Sequence, residues 1–176
     1  ADVASDRGGE GGRHFQQGKH WFIRRQYERA IGFFLKAYEY WDHPSVLYNL
    51  ASAYAQLRDP MRARVYLRLY VKATRSDPAR LPRLLAQVME ETAVLTVHIQ
   101  QAPPGVEVFV DGRRAGAKST ELVVKPGPRI VEIRLGSQVL RQQSITLPPG
   151  SEKNWEIDRV DPLRRALGHP HAEVAA

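Results

Sequence analysis

By residue type, the groups in this chain most able to do chemistry are six histidines, the adjacent carboxylates Glu90 and Glu91, and the stretch "PPGVEVFVDGRRAG" at 103–116 with its Asp111-Gly112 pair. Hydrolytic or acid–base catalysis needs a nucleophile beside a base, or two carboxylates in different surroundings. The sequence offers neither arrangement. His14, His20, His43 and His98 stand singly, and none has the i, i+4 spacing with a Glu that a helical zinc site uses. His169 and His171 flank Pro170, where only a weak adventitious metal contact is open. Glu90 and Glu91 are neighbours near the end of a predicted helix, so they point in different directions and read as solvated. The chain has no cysteine, which excludes disulfides, thiolate nucleophiles and Cys-ligated zinc. The expectation is a protein without catalytic residues, metal or cofactor.

The Asp111-Gly112 pair has two readings to separate. A phosphate-cradling loop needs glycines that open a helix, so that the first amides of the helix point at the anion. Here an Arg pair and another strand follow instead. Asp-Gly between alternating apolar residues is a hairpin signal, because the turn needs positive φ that these residues tolerate. The pair is therefore expected to turn the chain. Trp21, Trp41 and Trp155 could stack sugars or bases, but Trp21 falls at a helix-interface position and Trp155 alternates with Ile157, so both read as packing residues. Trp41, beside Asp42-His43-Pro44, stays open between the two roles.

The net charge is +7, from 26 Lys and Arg against 19 Asp and Glu. Such a surplus invites a nucleic-acid or anionic-surface reading. The bases are interspersed with acids, and pairs such as Arg24-Arg25, Arg113-Arg114 and Arg164-Arg165 resemble solvated faces, which argues against nucleic acid. No stretch is long and apolar enough for a membrane-spanning helix. The chain opens Ala-Asp-Val without Met, as an exported protein would after removal of a signal peptide, and this points to the periplasm or cell surface with a cytoplasmic site still open.

Positioning elements follow from periodicity. Residues 1–12, "ADVASDRGGEGG", read as a flexible leader, with structure beginning near Arg13. From 13 to about 93 the apolar spacing is helical. Gly18 and Ala51, Trp21 and Tyr54, Ala30 and Ala63, Phe34 and Leu67, and Ala37 and Tyr70 are each 33 residues apart. "FQQGKHWFIRRQYERAIGFFLKAYEY" and "LYNLASAYAQLRDPMRARVYLRLY" thus carry one small–aromatic order twice, and this resembles the tetratricopeptide repeat, an antiparallel helix pair of about 34 residues. His14 and Tyr70 depart from that family's pattern. "SDPARLPRLLAQVMEE" predicts a capping helix with Ser76 or Asp77 as N-cap and Pro78 at its start.

After Thr92 the period changes to two. Strands are predicted over 94–99, 106–110, 120–124, 129–135, 139–147 and 154–158, separated by Pro/Gly turn signals. A bulge near Arg141 would bring the fifth of these into phase. Short strands without helices between them predict a small antiparallel β-sandwich over 94–160, so that the fold class is α+β in two domains. "PPGVEVFVDGRRAG", "LVVKPGPRIVEIRLGSQVL" and "ITLPPG" resemble the PEGA module, a β-domain common in bacterial surface and envelope proteins. The eponymous tetrapeptide is here Pro103-Pro104-Gly105-Val106. Residues 161–176 read as a tail or a truncated linker.

The first resemblance implies a non-enzymatic interaction protein whose groove takes a peptide or helix of another protein. The groove-facing positions would be Phe15, Lys19, Phe22 and Ile23 from the first repeat and Tyr48, Ser52, Ala55 and Gln56 from the second, unless the capping helix or the β-domain covers them. Asn49 matches a position with which family members clamp a terminal carboxylate, although Phe15 replaces the partnering Lys. One alternative is a basic β-domain that grips an anionic cell-wall polymer through Arg113, Arg114, Lys118 and Lys125, and another is an enzyme whose site the sequence does not reveal.

Overall fold

A computed structural model describes residues 3–160, with side chains from Gly9 onward. The chain divides into two compact units between Thr92 and Ala93, and the described residues form five α-helices followed by two sheets, an α+β architecture.

The helical unit begins with α1, Val3–Ile23, and α2, Tyr27–Tyr40. They lie in close contact because α1 offers glycines where α2 offers aromatic rings. A Cβ at Gly18 would overlap the buried Phe34 ring, and one at Gly11 would overlap the Trp41 side chain. Residue numbers fall on one helix as they rise on the other, so the pair is antiparallel. The expectation of a flexible leader over 1–12, with structure beginning near Arg13, is corrected as to its start: α1 begins at Val3, and Gly11 is a packing residue seven positions before Gly18. Once a helix is nucleated, each added residue costs little and gains a hydrogen bond, so it runs back through residues that would not start one.

The next pair, α3 (Pro44–Gln56) and α4 (Pro60–Thr74), repeats the first at an offset of 33. Arg25 and Arg58 both take left-handed φ of 60°. Gln26 N–H donates to Trp21 C=O, and Asp59 N–H donates to Tyr54 C=O, both at 3.0 Å. Arg29 lies over the Trp21 ring at 4.8 Å and Arg62 over Tyr54 at 5.2 Å. Each pairing therefore recurs with its partner, which is more than a recurring composition. His43 caps α3 by accepting from Ser45 N–H at 3.2 Å, and Asp59 caps α4 by accepting from Arg62 N–H at 3.0 Å. The expected capping helix is interrupted: Pro78–Arg80 forms a single 3₁₀ turn capped by Asp77, and α5, Arg83–Glu90, starts after Pro82. A residue before proline is driven out of the helical region, and Leu81 is extended at ψ 147°. Leu85 and Val88 of α5 join the buried core made by Phe34, Leu50, Tyr54 and Leu67.

Among its described residues the β unit has seven strands: β1 Ala93–Gln101, β2 Val106–Val110, β3 Arg113–Ala117, β4 Ser119–Val124, β5 Gly127–Leu135, β6 Gln138–Leu147 and β7 Glu152–Arg159. They form two sheets, ordered β4-β1-β7 and β3-β2-β5-β6. Val97 and Ile157 from one sheet and Val108, Ile133 and Leu147 from the other share a single buried core. β3, "RRAGA", has no apolar alternation and is set by its hairpin partner β2. The expected antiparallel arrangement is corrected at one pair, since β1 and β7 run parallel. Five strands separate them in sequence, so no hairpin constrains their direction.

The turns are locally encoded. Asp111 and Gly112 both have positive φ, 50° and 77°, as a type I′ hairpin requires. Pro103-Pro104-Gly105 and Pro148-Pro149-Gly150 each close a turn with glycine at φ 80° and 74°, type II geometry with Pro before Gly. In the β5–β6 ladder Ile133 faces Arg141 and Arg134 faces Val139, so Leu140 is the extra residue of a bulge beside Arg141 and packs on the core.

Candidate functional site

The predicted groove residues divide into three groups. Ile23 is 76% exposed at the end of α1, and Lys19 and Gln56 are exposed as well. Phe15, Phe22 and Tyr48 are half-buried, with one edge of each in the helical core. Phe15 meets Phe34 and Trp41 at 5.7 Å each, Phe22 meets Tyr27 edge-on at 5.3 Å, and Tyr48 meets Tyr70 edge-on at 5.4 Å. Lys19 lies 5.9 Å above the Phe15 ring. Ser52, only 7% exposed, and Ala55 are instead buried. Ala55 lines a small cleft with Leu84, Gln87 and Val88 of α5, which packs against α3 and covers this stretch. The available surface is therefore α1 with the exposed end of α3. The Asn49 amide donates to Ser45 C=O of its own helix at 2.8 Å.

The basic residues of the β unit are placed differently. Arg113, Lys118 and Lys125 are exposed, but Arg114 is ion-paired with Glu107 across the β2–β3 hairpin. Lys118, at φ 51°, occupies the corner between β3 and β4. Asp111 is engaged by the fold itself. Its carboxylate accepts from Ile130 N–H at 2.9 Å and pairs with Arg129 at 3.0 Å. The backbone donor first, and Arg129 after it, hold this carboxyl below its ordinary value. Arg129 also donates to the carbonyls of Lys125 and Pro126, so one guanidinium ties the hairpin turn to the neighbouring loop.

The histidines also have partners. His20 bonds Arg24 at 2.8 Å, His43 caps α3 and stacks on Trp41 at 4.4 Å, and His98 bonds Ser119. His14 lies between Phe33 and Tyr40 with its Nδ1 buried and unbonded. His169 and His171 lie outside the described residues. Gln87 donates to Glu91 at 2.6 Å. Among the described residues no three His, Asp or Glu side chains are grouped as metal ligands. Trp155 is half-buried with Arg141 above its ring at 5.5 Å, and Trp41 packs on Gly11 and Phe15.

Tyr54, Tyr66 and Arg62 form a stack missed in the sequence. The two rings are parallel at 5.6 Å, and burial followed by neighbouring tyrosines pushes the Tyr66 phenol up. A hydrogen bond from Arg62 to the Tyr54 hydroxyl oxygen, and then the nearby Asp59, keep Arg62 more firmly protonated. The spacing of Tyr54, Arg62 and Tyr66, at eight and four residues, was the available signal. No helix among the described residues is long and apolar enough to cross a membrane. No protein-family model matches the chain, and no curated protein matches it.

Proposed function

We propose that this is a non-enzymatic protein-interaction module of the bacterial envelope, in which tetratricopeptide-like helix pairs dock a peptide or helix of a partner and a PEGA-like β-sandwich acts as spacer or second contact. The observation that carries the reading is Ile23, three-quarters exposed on the helix that also presents Lys19 and the half-buried Phe15 and Phe22. A large aliphatic side chain left in water contributes nothing to its own fold, and beside half-buried rings it resembles the anchor of an interface. The recurrence of turn, hydrogen bonds and cation–π bracket at 33 residues supports the repeat assignment. The polymer reading has weaker support, since Glu107 neutralises Arg114.

A photoreactive residue at position 23, compared with one at Lys153 on the β unit, tests the proposal in a native envelope fraction. A discrete crosslinked protein at 23, lost when Lys19→Glu is added, is expected. Equal labelling at both positions would remove the groove from consideration.

A further inference from the structure

We infer that the outward stripe of α4 is a second docking surface, fitted to an acidic amphipathic helix of a protein partner. It is a separate surface from the α1 residues above and does not depend on them.

The repeat supplies an internal control. On α2, positions 29, 32, 36 and 39 face solvent and carry Arg29, Gly32, Lys36 and Glu39, an ordinary solvated stripe of mixed charge. The equivalent positions on α4, 33 residues later, are just as exposed but carry Arg62, Val65, Leu69 and Lys72. Val65 is 45% exposed and Leu69 39%. The first repeat folds with glycine and lysine at these positions, so the repeat does not require the aliphatic pair. Val65 and Leu69 are four residues apart, which makes one ridge of the kind that packs into the groove of another helix. Lys72 replaces the only acid of the stripe, and α4 contains no Asp or Glu from Pro60 to Thr74. The nearest acid in sequence is Asp59, the N-cap, already paired with Arg62 at 2.6 Å.

Lys72 at one end and Arg62, already paired with Asp59, at the other lie about 15 Å apart, at ten residues of 1.5 Å each, and bracket an apolar pair. The complement is a helix with small or aliphatic residues between acids. Charge argues against a second copy of this chain, because α4 offers no carboxylate to Lys72 and the capping Asp59 is already engaged by Arg62. An anionic membrane is the weaker occupant. A membrane-surface helix inserts a broad face of several bulky apolar side chains, whereas here there are only one valine and one leucine, each less than half exposed.

The test is binding of a synthetic helical peptide with leucines between glutamates, measured by fluorescence anisotropy against the full chain. Leu69→Lys with Lys72→Glu makes position 69 the lysine of the first repeat and position 72 its glutamate. We expect this double variant to weaken binding by about tenfold or more, as loss of an interface anchor does, while Lys153→Glu, exposed on the β unit, leaves it unchanged. Circular dichroism verifies that the variant is folded, with Val65→Ser as the substitute if it is not. Four results would each overturn the inference: no binding, equal binding of a peptide with glutamine in place of leucine, stripe-dependent binding of phosphatidylglycerol vesicles in preference to the peptide, or a change in oligomeric state when the stripe is altered.

Discussion

Gly11 and Gly18 make room in the helical unit, whereas in the β unit most glycines make turns and Gly116, where a Cβ would overlap Thr120, is the exception. Gly11 and Gly18 keep ordinary helical backbone and matter because no Cβ intrudes on Trp41 and Phe34. Gly105, Gly112, Gly136 and Gly150 have φ between 58° and 80° and matter because a side chain would strain the backbone. Left-handed positions of the helical unit are held by arginines instead, at Arg25, Arg58 and Arg75. The difference shows where each unit keeps its specificity. Helices must be told how closely to approach, whereas strands must be told where to reverse.

Substitutions can break this contrast, beginning with the largest effect. Phe34→Ala removes the fully buried ring that fills the Gly18 notch and is expected to destabilise the helical unit by about 4 kcal/mol, read from chemical denaturation followed at 222 nm. Gly18→Ala places a methyl where the Phe34 ring already is. It should lose about 2 kcal/mol in the same measurement, although alanine is the better helix former. A stabilising result would mean that Gly18 is not a spacer. Arg25→Gly and Arg58→Gly relieve left-handed strain at equivalent turns and should each stabilise by about 1 kcal/mol. Unequal gains would show that the two turns are not equivalent in energy.

The smallest effect is pH-dependent and belongs to the β unit. The Asp111 carboxyl is held below its ordinary value of 3.8, so its contribution is complete above that pH and is lost as pH falls through the lower, folded value. Asp111→Asn keeps a residue suited to positive φ but removes the charge that pairs with Arg129. The variant should be less stable at neutral pH by under about 1 kcal/mol, because the pair is partly exposed, and the gap should close in acid. A gap that persists unchanged in acid would assign the difference to the turn alone.

Legibility followed the range of the interactions. The 33-residue offset was read from small and aromatic residues alone, and the turns, hydrogen bonds and cation–π brackets recur at that interval. The Leu140 bulge was legible because an even period was broken inside one strand. Gly11 was misread because its partner Trp41 lies thirty residues away, and Ser52 because the helix that buries its surroundings begins at Arg83. Val65 and Leu69 drew no notice, since apolar residues on a helix are ordinarily assigned to its core.

The sequence by itself determined the repeat interval, the change of period after Thr92, and the positions at which Pro-Gly and Asp-Gly reverse the chain, because φ preference and short-range hydrogen bonding act within a few residues. Only the tertiary structure decided which glycines separate helices, that β1 and β7 run parallel, and which charges are already neutralised, as with Asp111 by Arg129 and Arg114 by Glu107. Burial and ion pairing depend on groups brought close in space from distant parts of the chain, and no local pattern carries that information.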